Sequence, residues 1–463
     1  MAPRGPTEAG RADVLSRQLL GCPDLLKADR VVVGFSGGLD STVLLHLLAT
    51  LRGQGLLMGE LSALHIHHGL QPGADQWLEH CRCQAEQLSV SFQARRVLVE
   101  AATGTSPEAA AREARYTVFE ELMMEGSVLA LAHHADDQVE TVLLHLLRGS
   151  GPRGLSGMPQ QRPLGRGMLC RPLLGIGRSL LRAHALQQGL TWIEDPSNSD
   201  QRFTRNFLRE AVVPLLQQHA PALQQGVLRS AMLQTEAEQL LVELAAADLA
   251  VARGESSNQL QLPVLAQWSP ARVRNLLRFW VRGLREELDG RDVTHQGLRQ
   301  CVEQLIPAQH DAMPVIAWGE GAQRLELRRH RDQLYLVKSM PLLPEKLLWN
   351  PAQPLQLPGV LGQLRCETTE GKAPFPDTWP ILEVRFRTGG ERVQEQGRPT
   401  RMLKHLLQEA GVPSWLRPCI PLIYCDGVLL AVGDLFVQAV WPEQVPAKTA
   451  RFLWDRQHLH CGY

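Results

Sequence analysis

The chain has no excess charge of either sign, since 48 Lys and Arg balance 48 Asp and Glu. A global basic field that draws in nucleic acid is therefore excluded, and any such attraction must be local. Long hydrophobic runs are also missing. Nothing in the sequence approaches the roughly 18 apolar residues of a membrane span, so no membrane partner is expected. The opening MAPRGPTEAGR has no apolar centre and does not read as a secretory signal. Cysteine is sparse and unpatterned: Cys22, Cys81, Cys83, Cys170, Cys301, Cys366, Cys419, Cys425 and Cys461 contain no C-x-x-C. That argues against a zinc cluster or a redox pair, and an odd, scattered set fits a reducing cytoplasm.

What is present is an ordinary soluble composition, 44% hydrophobic and 21% charged over 463 residues, a length that suggests about three domains. Short apolar runs alternate with helical patterns in the first half. Strands are expected at Val31–Phe35, Leu61–Ile66, Phe92–Val99 and Val128–His133. Helices are expected at Ser41–Leu51, Ala74–Leu88, Glu108–Glu125 and Asp137–Leu147. This βα rhythm predicts an α/β fold, a parallel sheet covered by helices on both faces. Ligands of such sheets sit beyond the carboxyl ends of the strands. Polar punctuation falls there: SGGLDS, HIHHG and HHADD. From about Ala211 the character changes. Gln234–Ala252, Pro270–Leu284 and Thr294–Leu305 read as a helical domain, Pro341–Pro358 as a proline-rich linker, and Leu361–Tyr463 as short strands with a helix near Thr400–Ala410. The expected division is a Rossmann-like catalytic domain at 12–215, a helical domain at 216–340 and a small α+β domain at 359–463.

The seam Ser36-Gly37-Gly38-Leu39-Asp40-Ser41 joins a strand to a helix. Glycine lets an anion approach the backbone, and the helix start offers unpaired N–H groups. Ser36 and Ser41 add hydroxyl donors. Asp40 would repel phosphate unless a cation bridges the two, and Mg²⁺ is the natural bridge. No lysine follows the glycines, which disfavours a Walker-type NTPase. A plain helix cap by Asp40 or Ser41 explains one polar residue but not the whole set. In AHHADDQVET, Asp137 and Glu140 share a helix face. Here capping by Asp136 or Asp137 and binding of an amine-bearing substrate both remain open.

SGGLDS resembles the pyrophosphate loop of enzymes that split ATP into AMP and pyrophosphate. The order of HIHHGL, EAAAREARY (Glu108–Tyr116), AHHADDQVET, LLRGSGPRGLSGM, RPLL and WIEDPSNSDQRFTRNFLR resembles the bacterial tRNA(Ile)-lysidine synthetase family. The likeness spans about Val31 to Arg209. It resumes in VRFRTGGERV (Val384–Val393) and LKHLLQEAGVPSWLRPCIPLIY (Leu403–Tyr424). It implies a ligase that uses ATP to adenylate the wobble cytidine of a tRNA(Ile) with a CAU anticodon. L-lysine is then joined at C2, so that the tRNA reads AUA instead of AUG. The partners implied are tRNA, not DNA.

The resemblance also implies roles. Ser36, Gly37, Gly38, Leu39 and Ser41 would hold ATP and its pyrophosphate, with Asp40 as catalytic Mg²⁺ ligand and His65 near adenine. A buried strand-end histidine is the plainer reading of His65. Asp137 and Glu140 would bind lysine, and one of them would help deprotonate its amine. Arg112, Arg115 and Arg205 would hold phosphate or the activated base. Arg385, Arg387, Arg392, Lys404 and Arg417, with Gly389, Gly390 and Glu391, would grip the tRNA body, as Arg205 would its anticodon part. Arg148, Arg153, Arg162, Arg166, Arg171, Arg178 and Arg182 form a local basic stripe that suits an RNA backbone. Three rivals are a tRNA thiolase, a non-catalytic nucleotide- or RNA-binding module, and a metal-dependent phosphohydrolase built on His65, His67, His68, His133, His134, Asp136 and Asp137.

Overall fold

The computed structural model describes residues 8–67, 69, 73–97, 107–194, 204–284, 293–308, 314–321, 324–368, 380–442 and 450–455. His68 and most of the DPSNSDQRF stretch lie outside them. Two compact units divide the chain, Met1–Gln239 and Leu240–Tyr463.

In the first unit Val31, Val32 and Val33 are all buried. A strand covered on both faces needs such an uninterrupted apolar, β-branched run. It forms β1 (Arg30–Gly34), centre of a six-stranded sheet with β2 (Glu60–His67), β3 (Ser91–Arg96), β4 (Ser127–Ala130), β5 (Gln161–Leu164) and β6 (Gly167–Cys170). The order is β3-β2-β1-β4-β6-β5, parallel except for the β5–β6 hairpin. Val31 and Val33 pack in one cluster with Leu15, Leu44, Leu48 and Leu181. Val32 points to the other, with Phe119 and Met123. The helices supplying these layers include α1 (Glu8–Leu20), α2 (Pro23–Lys27), α3 (Leu39–Gly53), α4 (Ala74–Gln87), α5 (Pro107–Leu122), α6 (Ala135–Leu147), α7 (Pro152–Leu155) and α8 (Arg178–Gln187). Then come α9 (Thr204–Phe207), a π-turn at Leu208–Val212, α10 (Val213–His219) and α11 (Leu223–Ala252).

Chain order reverses at β1: β2 lies on one side, and β4 is reached by crossing to the other. Such a switch point opens a crevice beyond the strand ends. SGGLDS follows β1 and HHADD follows β4, so both motifs edge the same crevice. The fourth strand ends at Ala130, short of the expected His133. His134 takes extended backbone as the N-cap of α6, and a chain already turning into a helix has left the sheet.

In the second unit the expected helices are present. Pro270–Leu284 is α13, after α12 (Leu262–Leu265), and Thr294–Leu305 becomes α14 (His295–Gln300) plus a π-turn at Cys301–Leu305. Thr294 caps α14 by accepting from Gly297 N–H at 3.0 Å. The reading of this region as helical did not include its antiparallel sheet: β7 (Gln259–Gln261), β8 (Val315–Trp318), β9 (Leu325–His330) and β10 (Gln333–Lys338), in the order β7-β10-β9-β8. Leu325, Leu327, Leu334 and Leu336 join Leu276, Leu277 and Trp280 of α13 in one core, while Tyr335 and Val337, on the opposite face of β10, pack in the C-terminal core.

The proline-rich stretch 341–358 is not a linker, which corrects the sequence reading. It contains β11 (Lys346–Trp349) and β12 (Leu355–Gln356), which pair with β14 (Leu382–Phe386) and β13 (Gln363–Thr368). Trp349 and Leu357 are buried in the C-terminal core. The prolines flank the strands, where no ladder N–H is lost. The rest comprises β15 (Arg392–Val393), β16 (Arg401–Met402), α15 (Leu403–Glu409), β17 (Pro421–Cys425), β18 (Val428–Val432), β19 (Phe436–Val437) and β20 (Ala450–Asp455). No described helix is long and apolar enough to cross a membrane.

Candidate active site

The loop after β1 is a tight cradle. Gly37 has φ +78, a region L side chains rarely adopt, and a Cβ there would meet Cys81 Sγ at 2.7 Å. Ile193 N–H donates to the Gly37 carbonyl at 2.9 Å. Gly38 is the N-cap of α3 and no side chain caps the helix, which leaves first-turn N–H groups for an anion. Ser41 Oγ donates to the Gly38 carbonyl at 3.0 Å and lies 3.1 Å from Ser36 Oγ. Leu39 is buried and begins the helix. Both hydroxyls therefore line the glycine loop.

Asp40, in the first turn of α3, meets two cationic groups: Arg178 Nε lies 3.6 Å from Oδ1, and His134 Nε2 lies 3.6 Å from Oδ2. Asp40 Oδ1 is buried without a hydrogen-bond partner. An orphaned carboxylate oxygen beside a phosphate cradle fits a bound Mg²⁺, which usually takes one or two carboxylates and fills its shell with phosphate and water.

His134 joins the two motifs. Its ring also lies 3.5 Å from Asp136 Oδ2 and 3.4 Å from Asp137 Oδ2. Burial alone would drive the imidazole neutral, but Asp136, Asp40 and Asp137 outweigh it and lift its pKa to about 10. Asp136 accepts from Arg178 N–H at 2.8 Å, at the start of α8. Burial would raise the Asp136 carboxyl, but His134 and that N–H bring it down to about 2. His133 is the opposite case: burial, together with Arg171, Arg205 and Arg112, pushes it down to about 3 against the pull of Asp137. Arg171 Nε donates to its Nδ1 at 3.3 Å.

The capping question resolves in both directions. Asp137 does cap α6, its Oδ2 accepting from His134 N–H at 3.0 Å. Glu140 does not face solvent; it is 2% exposed, and two arginines from the α9 and π-turn region hold it. Arg205 Nε donates to Oε2 at 2.7 Å, and Arg209 Nε to Oε1 at 2.6 Å. An NH2 group of each reaches Asp137 Oδ1 at 3.2 Å. Burial raises the Asp137 carboxyl, but His134, Arg205 and His133 prevail and hold it below the ordinary value.

His65 is buried and its Nδ1 bonds the Phe35 carbonyl at 2.9 Å. Burial lowers its pKa, so the ring is neutral and Nδ1 carries the proton. Arg112 and Arg115 are exposed on α5. Arg112 lies over the Tyr116 ring at 5.2 Å, and the charge of Arg115 is felt at His65. The basic stripe is broken: Arg171 is buried and Arg178 faces Asp40, whereas Arg148, Arg153, Arg166 and Arg182 are exposed. Among the described residues no group of three or more His, Cys, Asp or Glu is arranged to hold a metal ion. His67 instead pairs with Asp75 at 3.2 Å.

In the C-terminal region Arg385 pairs with Glu383 at 2.5 Å and lies 4.7 Å over Tyr424. Arg387 donates to Glu391 at 3.2 Å, and Glu391 accepts from the N–H groups of Thr388 and Gly389 at 2.8 and 2.7 Å. Gly389 and Gly390 take φ +106 and +87, so the TGGE turn is built around Glu391. Arg417 Nε donates to the Val412 carbonyl at 2.9 Å. Arg392 and Lys404 are exposed and carry no ion pair among the described residues. The sequence reading placed His134 only in the metal-site rival and Arg178 only in the basic stripe, and it left out Arg209. Arg209 had a legible signal, lying one helical turn beyond Arg205 in TRNFLR.

Comparison with known proteins fits this layout. Residues 13–216 match the PP-loop domain family, 260–335 the TilS substrate binding domain and 382–454 the TilS substrate C-terminal domain. A tRNA(Ile)-lysidine synthase of Alkalilimnicola ehrlichii is 45% identical over 93% of this chain and 94% of its own. That of Pseudomonas syringae pv. tomato is 46% identical over 87% of this chain and 88% of its own. The Pseudomonas aeruginosa protein is 45% identical over 87% and 89%. A phosphate cradle and an acid pair on one crevice, in a chain this similar to such relatives over nearly its whole length, mean that it belongs to the tRNA(Ile)-lysidine synthase family.

Proposed function

We propose that the chain joins L-lysine to C2 of the wobble cytidine in the CAU anticodon of tRNA(Ile), through an adenylated cytidine. One observation carries the site reading: the His134 ring touches both Asp40 of the ATP loop and Asp137 of the acid pair. Phosphate chemistry and amine binding are thereby neighbours in one pocket, as a ligase needs.

The cytidine oxygen attacks the α-phosphorus of ATP, and pyrophosphate leaves. The α3 N-terminus, Gly37, Gly38, Ser36 and Ser41 receive the charge that grows on it. Asp40 would hold Mg²⁺, which would supply further neutralisation of that charge. His134 holds Asp40 and Asp137 in place and lowers the Asp137 carboxyl. Arg112 and Arg115 border the crevice where the adenylated base lies. Asp137 and Glu140 then receive the ammonium groups of lysine; the ε-ammonium group gives its proton to one of the two carboxylates, and the free amine displaces AMP at C2. The depressed pKa of Asp137 suits it to bind an ammonium group more than to act as a strong base. A single-stranded anticodon base can be splayed into such a pocket at modest cost. We assign 12–215 to catalysis, 216–340 to tRNA contact and 359–463 to tRNA binding, with Arg392 and Lys404 as phosphate contacts. Arg385, Arg387 and Arg417 first hold their own turn and then border the RNA.

The test uses ATP-Mg²⁺, radiolabelled lysine and unmodified tRNA(Ile) with a CAU anticodon. Label enters a base-stable product with the wild type, and Asp40→Ala and Asp137→Ala both lose it. ATP cleavage to AMP without lysine incorporation would overturn the lysine assignment. A thiolase needs a reactive thiol. Six of the described cysteines are buried, and burial pushes the Cys81 thiol, packed behind Gly37, up to about 12.

A further inference from the structure

The acid pair proposed to receive lysine is already satisfied. Asp137 and Glu140 carry two negative charges, and Arg205 and Arg209 return two positive ones within 3.2 Å. This gives both buried carboxylates partners while no substrate is bound, since an unpaired buried charge is costly. It also means that lysine must displace a guanidinium.

The two arginines are not equivalent. Arg205 donates to Glu140 Oε2 only. Arg209 spans both oxygens, Oε1 at 2.6 Å and Oε2 at 3.0 Å. Release of Arg209 therefore frees Oε1 entirely while Arg205 still anchors Oε2. Both side chains are partly exposed, 25% for Arg205 and 26% for Arg209, so the difference between them lies in how each meets Glu140. Arg209 stands on the π-turn Leu208–Val212, and such turns inside helices recur at functional sites.

We propose that Arg209 is the α-carboxylate receptor for the amino-acid substrate, parked on Glu140 until lysine arrives. This rests on the lysine reading above. Lysine brings two ammonium groups and one carboxylate. One ammonium group takes Oε1 of Glu140, the freed guanidinium takes the α-carboxylate, and the other ammonium group is left to Asp137. The planar fork of arginine suits a carboxylate in either position. A diamine without the carboxylate would displace Arg209 and leave it unpaired, which selects for the whole amino acid.

The experiment compares KM for lysine and for 1,5-diaminopentane in the full-length wild type, Arg209→Gln and Arg209→Lys, with unmodified tRNA and ATP. The wild type prefers lysine. Arg209→Gln raises the lysine KM by about 10- to 100-fold, the loss expected for a charge-assisted contact, and narrows the lysine-to-diamine preference by at least about 10-fold. Arg209→Lys, with charge but no fork, falls between and decides the matter if the glutamine variant does not fold. An unchanged preference ratio overturns the assignment, because a merely structural arginine would raise both KM values together. A wild type that cleaves ATP but joins neither amine overturns the lysine reading itself, and this assignment with it.

Discussion

At the scale of single residues, charge pairing inside the crevice matters more than charge count. Glu140 is almost fully buried and holds two guanidinium groups. Glu140→Ala leaves both with Asp137 alone as their shared carboxylate, and breaking a buried pair costs about 3–5 kcal/mol. We expect that variant to lower the unfolding midpoint and to lose lysine incorporation by more than about 100-fold, as read by urea titration and labelled lysine. His134 gives a pH prediction. Its folded pKa of about 10 lies above the ordinary imidazole value of 6.5, so the folded state holds the proton more tightly. The stability it adds is complete below about pH 6.5 and is lost as pH rises through about 10. Asp136, lowered to about 2 from 3.8, has the opposite sign: its contribution is present above about pH 3.8 and is lost as pH falls towards 2. Denaturant curves of the wild type and His134→Gln should converge as pH rises from 6.5 to 10. Curves that stay parallel over that range would refute the raised pKa.

At the scale of elements, the βα rhythm was legible because a strand buried on both faces must be a continuous apolar run. The start of α3 was legible because Gly-Gly at a strand end has few other uses. The β7–β10 sheet was not, because short strands such as LELRRH alternate apolar and charged residues and mimic a helix face over so few positions. The strands in 341–358 were hidden by prolines that flank them. The loop makes its own prediction. At Gly37, alanine brings both a positive φ and a 2.7 Å approach to Cys81 Sγ. An αL residue with a Cβ costs roughly 1–2 kcal/mol before the clash is counted. Gly37→Ala should raise KM for ATP at least about 10-fold in pyrophosphate-release assays, and replacing Cys81 with glycine or alanine in the same protein should recover part of it. Gly38, with a Cβ position at 3.5 Å from Ser36 Oγ, should tolerate alanine better.

At the scale of the whole molecule, a chain with no net charge must bind RNA through local cations. Binding should still weaken steeply with salt, because counterion release depends on phosphate contacts and not on total charge. In filter binding at several salt concentrations, Arg392→Ala and Lys404→Ala should each reduce the slope of log affinity against log salt by about 0.7–0.9. Arg385→Ala should change it less, since Arg385 is held by Glu383 and Tyr424. Equal slopes in all three variants would remove 359–463 from the RNA contact. The sequence by itself determined the parallel-sheet fold, the loop chemistry and the family, because those depend on residues adjacent in the chain. Only the tertiary structure decided that Asp137 caps its helix while also meeting Arg205 and Arg209, that His134 bridges two motifs, and that Arg209 occupies Glu140. These pairs lie up to 94 residues apart in sequence, from Asp40 to His134, and only the sheet's reversal at β1 brings their ends to one crevice.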